Sequence, residues 1–139
     1  MTLPGGVLDT CVIIELGGRL DAAQLPDDQV ITAVTLGELS VGPLVADDVG
    51  ERSRRQLRLQ AMEIEFAEAT LPYDAAAARI FGRVMAAALR RGRRSRVRVS
   101  DYQIAAIAIA NDLPLYTINT DDFARVDGLT LMPVRLESS

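Results

Sequence analysis

Carboxylates carry most of the chemistry open to this chain. Asp9, Glu38, Asp101 and the adjacent Asp121 and Asp122 stand where an apolar, strand-like run ends or a helix begins. They lie in Val7-Leu8-Asp9-Thr10, Thr35-Leu36-Gly37-Glu38-Leu39, Ser100-Asp101-Tyr102 and Thr117-Ile118-Asn119-Thr120-Asp121-Asp122-Phe123. Any one of these acids reads as a helix cap, because a carboxylate near a helix N-terminus offsets the macrodipole by about 0.3–1 kcal/mol. The set reads differently. Asp9 interrupts the apolar run over residues 7–14, and Glu38 sits among Leu36, Leu39 and Val41 on a helix flank that should be partly buried. Unpartnered buried carboxylates are costly, and carboxylates gathered without a cation repel one another. The pattern therefore predicts a pocket that holds a divalent metal.

Two absences narrow the chemistry further. The chain has no histidine, and all 15 of its Lys+Arg residues are arginine. Ser-His and Cys-His nucleophile pairs, His-ligated zinc, imidazole cleavage of RNA, P-loop lysines and Schiff bases are thereby removed. The net charge of −4 does not describe a protein coated for nucleic acid, but the basic residues are unevenly placed. Arg90, Arg91, Arg93, Arg94, Arg96 and Arg98 crowd the stretch before Asp101. A positive strip beside an acidic cleft can hold a polyanion's phosphates, so Arg91, Arg93, Arg94, Arg96 and Arg98 are RNA-binding candidates; a solvated turn is the competing reading.

The elements that must position these groups follow from hydrophobic patterning. Short apolar runs predict strands over 7–8, 30–34, 70–72, 115–118 and 129–132. Helices are expected from Asp9 and Thr10 to near Gly17, from a Thr35 cap through Glu38, over about 47–67, from an Asp74 cap to the Gly92 stop, from a Ser100 cap to Asp112, and briefly after Thr120. Alternating strands and helices predict an α/β fold: a three-layer α/β/α sandwich around a small, mostly parallel sheet. At 139 residues and 49% hydrophobic the chain is expected to form one domain over 1–139. No membrane-length apolar run and no signal-like N-terminus is visible, and the single cysteine, Cys11, reads as a buried thiol of a cytoplasmic protein.

VLDTCVII, TLGEL, SDYQIAAIA and LYTINTDDF, in this order and spacing, resemble the PIN-domain nucleases, and among them the VapC-type toxins of type II toxin–antitoxin pairs. The resemblance implies Mg²⁺ or Mn²⁺ dependence, RNA cleavage, a homodimer and inhibition by a cognate VapB-like antitoxin. It maps the family's first three acids onto Asp9, Glu38 and Asp101. Where the family often has Asn-Asp, this chain has Ser100-Asp101. The family's fourth acid falls on Asn119, which can still offer a carbonyl oxygen, while Asp121 or Asp122 can reach the site or a bound water, and Asp122 is favoured. On that basis Asp9 and Asp101 bind the principal ion directly, while Glu38 and Asp122 or Asn119 act through water or seat a second ion. A metal-activated water then hydrolyses the phosphodiester. Thr10 and Thr35 are candidates for orienting carboxylate or phosphate, with helix capping the favoured reading of Thr35. Apolar faces on the helices between Glu15 and Ala67 are candidates for the dimer contact.

Two rival readings remain in view. The fold could be kept with catalysis impaired by the fourth-acid substitution, leaving an RNA- or protein-binding module. An aspartyl-phosphate domain would need a lysine, which is absent, and its phosphatase form wants Asp-x-Asp where this chain has Asp9-Thr10-Cys11.

Overall fold

The computed structural model of the protein describes residues 5–92 and 98–137. Its centre is a five-stranded sheet, β1 (Gly5–Leu8), β2 (Asp28–Thr32), β3 (Thr70–Leu71), β4 (Leu115–Thr117) and β5 (Leu131–Pro133), in the order β3-β2-β1-β4-β5. Every pairing in that sheet is parallel. Helices α1 (Thr10–Glu15), α2 (Ala33–Leu44), α3 (Val49–Glu65), α4 (Ala75–Arg90) and α5 (Val99–Ala110) fill the crossovers, with a short 3-10 turn at Thr120–Phe123. The expected three-layer arrangement is the observed one.

Side chains alternate across a strand, and here the alternation divides the core into two layers. On β1, Leu8 packs with Val12, Ile13, Ile31, Met62 and Phe66 on the α1/α3 face, whereas Val7 packs with Val84, Ala88, Ile104 and Ala105 on the α4/α5 face. Tyr116 and Leu115 repeat the split on β4. A strand covered on both sides must be apolar at every position, which is why the central runs lack polar alternation. Helix α5 follows the same logic: Ile104 to Ala108 are all buried, so it is apolar all round. Fully burying an aliphatic side chain such as Leu8 or Ile107 contributes about 1.5–3 kcal/mol.

Several local boundaries differ from expectation, and three of them have a plain physical reason. Strand β2 ends at Thr32, whose register with Leu71 is still sheet, and Thr32 rather than Thr35 caps α2, accepting from the Thr35 amide at 3.1 Å. Helix α5 starts at Val99 with Arg98 at its N-cap, so Ser100 lies inside the first turn and does not cap it. Strand β5 begins at Leu131 rather than 129, because Leu131 is the first residue in register with β4, opposite Leu115. Asp74 caps α4 as expected, accepting from the Ala77 amide at 3.0 Å.

From β1 the chain builds outward through β2 and β3, then returns to the other side of β1 for β4 and β5. The carboxyl ends of β1 and β4 therefore flank a topological switch point, where a crevice opens in sheets of this kind.

Candidate metal centre

Asp9 follows β1 directly and stands at the N-cap of α1, where its Oδ1 accepts from the Thr10 amide at 2.9 Å. Capping occupies only one oxygen. Oδ2 accepts from the Thr117 hydroxyl at 2.7 Å and from the Cys11 thiol at 3.3 Å, across from β4 and from within α1. Asp9 is 4% exposed. Burial pushes its carboxyl above the ordinary range and the charge of Glu38 adds to that, against the pull of its three donors.

Glu38 is half-buried on α2, with each of its oxygens held from a different element. The Thr10 hydroxyl donates to Oε1 at 2.7 Å and the Ser100 hydroxyl to Oε2 at 3.3 Å. Thr10 is in turn hydrogen-bonded to Thr35, hydroxyl to hydroxyl, at 2.9 Å, and Thr35 is completely buried. Thr35 thus supports the residue that orients Glu38.

Asp101 lies in the first turn of α5, 8% exposed. Among the described residues its close cation is Arg98, Nε to Oδ2 at 3.6 Å, and its carboxylate accepts no hydrogen bond there. Burial lifts its pKa to about 6; Arg98 opposes the rise, while Asp9, Asp122 and Glu38 add to it. Asp9, Glu38 and Asp101, from three separate elements, thus feel one another across a single space.

That space is a cleft of about 510 Å³. Asp9, Thr10, Glu38, Asp101 and Asn119 line it, with Arg98 at Asp101, and Glu51, Arg55 and Arg58 of α3 complete the lining. Thr35 stands behind Thr10. Asn119 lines the cleft, and neither Asp121 nor Asp122 does; Asp121 is exposed, while half-buried Asp122 is felt through its charge at Asp101. Of the candidate arginines, Arg98 reaches the cleft, Arg91 is exposed at the end of α4, and Arg93, Arg94 and Arg96 lie outside the described residues.

Cys11, expected in the core, is instead half-buried against Asp9 and lines the cleft, its thiol pushed up in pKa by burial and by the Asp9 charge. Thr117, Ser100 as a Glu38 donor, and the α3 arginines are site residues that sequence reasoning missed. A threonine closing an apolar strand was the available signal for Thr117. For α3 it was an inner helical stripe that turns from apolar to charged.

Among the described residues no three acidic or thiol groups close on one point as a finished ion cage. The donors are nonetheless carboxylate oxygens spread around an open cleft, with two buried charges short of neutralising partners. Such a set fits a hard divalent cation that keeps several waters, and does not fit a thiolate- or imidazole-seeking metal.

No protein-family model matches the chain. Among curated proteins it is 43% identical over 130 residues to "Ribonuclease VapC5" of Mycobacterium tuberculosis, covering 91% of each chain. The chain belongs to the VapC family of PIN-domain toxins. "Ribonuclease VapC8" of the same organism is 38% identical over 109 residues, 74% of this chain and 89% of that protein. Among solved structures, VapBC-5 from Mycobacterium tuberculosis, a member of the VapBC family of toxin–antitoxin systems, superposes with a TM-score of 0.81 at 38% identity. It covers 95% of this chain and 100% of that one. FitAcB from Neisseria gonorrhoeae gives a TM-score of 0.74 at 26% identity, covering 91% and 95%. Membership of the VapC family makes this chain a relative of PIN-domain ribonucleases.

Proposed function

We propose that this VapC-family chain is a divalent-metal-dependent endoribonuclease, a single domain acting in the cytoplasm as the toxin of a toxin–antitoxin pair. One observation carries the reading: Asp9, Glu38 and Asp101, far apart in sequence, line the same cleft at the switch point of the sheet. Asp9 and Asp101 would hold the ion, with Glu38 and either Asp122 or Asn119 supporting it. A bound Mg²⁺ or Mn²⁺ would supply an acidified water and neutralise charge at the phosphodiester. The chain's own part is preorganisation. Thr117 and the Thr10 amide hold both Asp9 oxygens, Thr10 and Ser100 hold Glu38, and the Asp101 oxygens, free of hydrogen bonds among the described residues, face the cleft.

The proposed partners are RNA as substrate, a VapB-like antitoxin and a second copy of the chain. Support for the protein partners is the likeness to VapBC-5 and FitAcB, together with large apolar side chains left in solvent on α2 and α3: Val41, Leu44, Leu57 and Ile64. Incubating the purified chain with total RNA, with Mg²⁺ or with EDTA, and mapping the fragment ends tests the activity. Cleavage should require the metal, disappear in Asp9→Asn, and leave 5′-phosphate and 3′-hydroxyl ends. Fragments ending in 2′,3′-cyclic phosphate would overturn the metal–water scheme. Asn119, lining the cleft where the family places an acid, favours a second reading, a binding module without catalysis. Metal-independent RNA binding with no cleavage at any Mg²⁺ or Mn²⁺ concentration would select it.

A further inference from the structure

Resting on that ribonuclease reading, we propose that Arg58 on α3 is the residue that positions the RNA backbone in the cleft, its guanidinium taking a phosphate oxygen in the cavity it shares with the carboxylates. The inner stripe of α3 runs Glu51, Arg55, Arg58, Met62 and Phe66, at helical spacing. Met62 and Phe66 are buried with Leu8, Ile13 and Ile31, and Leu59 packs on the same cluster. The core therefore sets the helix rotation. Where the helix leaves the core and crosses the cleft, the same stripe becomes charged, and Glu51, Arg55 and Arg58 line the cavity.

A cleft lined by four carboxylates, Asp9, Glu38, Glu51 and Asp101, repels a polyanion, so a backbone phosphate needs a cation in the same lining. Among the described residues the cations lining the cleft are Arg55, Arg58 and Arg98. Arg55 is committed, donating to Glu51 at 2.9 Å and to the Gly42 carbonyl at 3.0 Å. Gly42 permits that hold, since a Cβ there would sit 3.3 Å from the Arg55 Cδ. Arg98 lies beside Asp101. Arg58, half-buried and without an ion pair or side-chain hydrogen bond among the described residues, keeps its planar fork of donors for a ligand. The bland alternative is a stem covering the edge of the core with its head in water.

The test compares Arg58→Gln, Arg58→Lys and, on the outer face of α3, Arg52→Gln. Each is measured for cleavage of a short single-stranded RNA across a salt series. Equilibrium binding of the same RNA is measured with each change placed in the Asp9→Asn chain, and folding is checked by thermal melting. Arg58→Gln is expected to raise KM about tenfold with kcat within about twofold. It should also reduce the slope of log affinity against log salt by about 0.7, the loss of one single-strand phosphate contact. Arg58→Lys keeps the slope, and Arg52→Gln matches the parent. Equal KM and equal slope in Arg58→Gln and Arg52→Gln overturn the proposal, as does a change confined to binding of a protein partner. If the parent cleaves nothing but the binding slope still falls in Arg58→Gln, the positioning role stands and the nuclease reading fails. If the parent cleaves and the slope does not move, the nuclease reading stands and the positioning role fails.

Discussion

Asp101 shows what a single carboxylate contributes to the behaviour of this site. Its pKa of about 6 in the folded protein compares with an ordinary 3.8. Between those values the folded state binds a proton that the unfolded chain does not, so metal-free stability falls as pH rises from about 4 through about 6, then levels off. Asp9 is shifted in the same direction and adds to the fall. On the proposed reading a divalent ion would compete for the same oxygens and bind better once they are deprotonated. Melting curves between pH 4.5 and 8 in EDTA should therefore slope downward. Mg²⁺ should raise the melting temperature more at pH 7.5 than at pH 5, and Asp101→Asn should flatten the EDTA curve. A melting temperature that climbs with pH in EDTA would mean these carboxylates are stabilised by protein donors rather than held ready for a cation. Residues of this kind were legible as types: an acid inside an apolar run marks a cost that needs an explanation. Their helpers were not. Thr117, Ser100 and Arg58 have ordinary sequence neighbours, and their roles appear only when β4, α5 and α3 are brought against β1 and α2.

Among the elements, the strands and helices were legible in kind because both layers of the core demand apolar central strands and helices that bury one stripe or, for α5, every side. Their ends were less so. Thr32 and Thr35 are the same residue type three apart, and which one caps α2 depends on β3 holding Thr32 in the sheet through the Leu71 register. That partner lies far along the chain, beyond any local pattern. Two glycines make the contrast between strand and helix measurable. On β1 a Cβ at Gly6 would collide with the ring edge of Tyr116, a side chain 4% exposed and walled by the core, whereas at Gly82 on α4 nothing lies within 4 Å. Gly6→Ala is expected to destabilise by about 2 kcal/mol through overpacking. Gly82→Ala should stabilise by about 0.5–1 kcal/mol, since alanine loses less backbone freedom than glycine in a helix. Urea unfolding of the two variants checks the opposite signs; equal effects would mean that β1 and β4 can separate without loss.

For the whole molecule, the exposed apolar residues matter most. Leu44 is 84% exposed and Ile64 80%, with Val49 and Leu57 also largely in water, all on the α2–α3 pair. Exposed apolar residues of this kind on a chain with a formal charge of −4 are expected, on the proposed reading, to be covered by a protein partner. Leu44→Arg combined with Leu57→Arg should leave melting unchanged while lowering the mass in solution, or the amount of antitoxin retained on purification, by at least about tenfold in affinity. Unaltered mass and unaltered retention would place the contacts elsewhere on the surface.

The order of the strands has one more consequence. Asp9 and Glu38 precede the stretch between α4 and α5, whereas Asp101, Thr117 and Asn119 follow it. A chain divided there would put part of the cleft on each fragment, and on the proposed reading neither would own every candidate ligand. RNA cleavage would then be expected only when the two pieces meet, so the topology offers a cut at which activity reports fragment reunion.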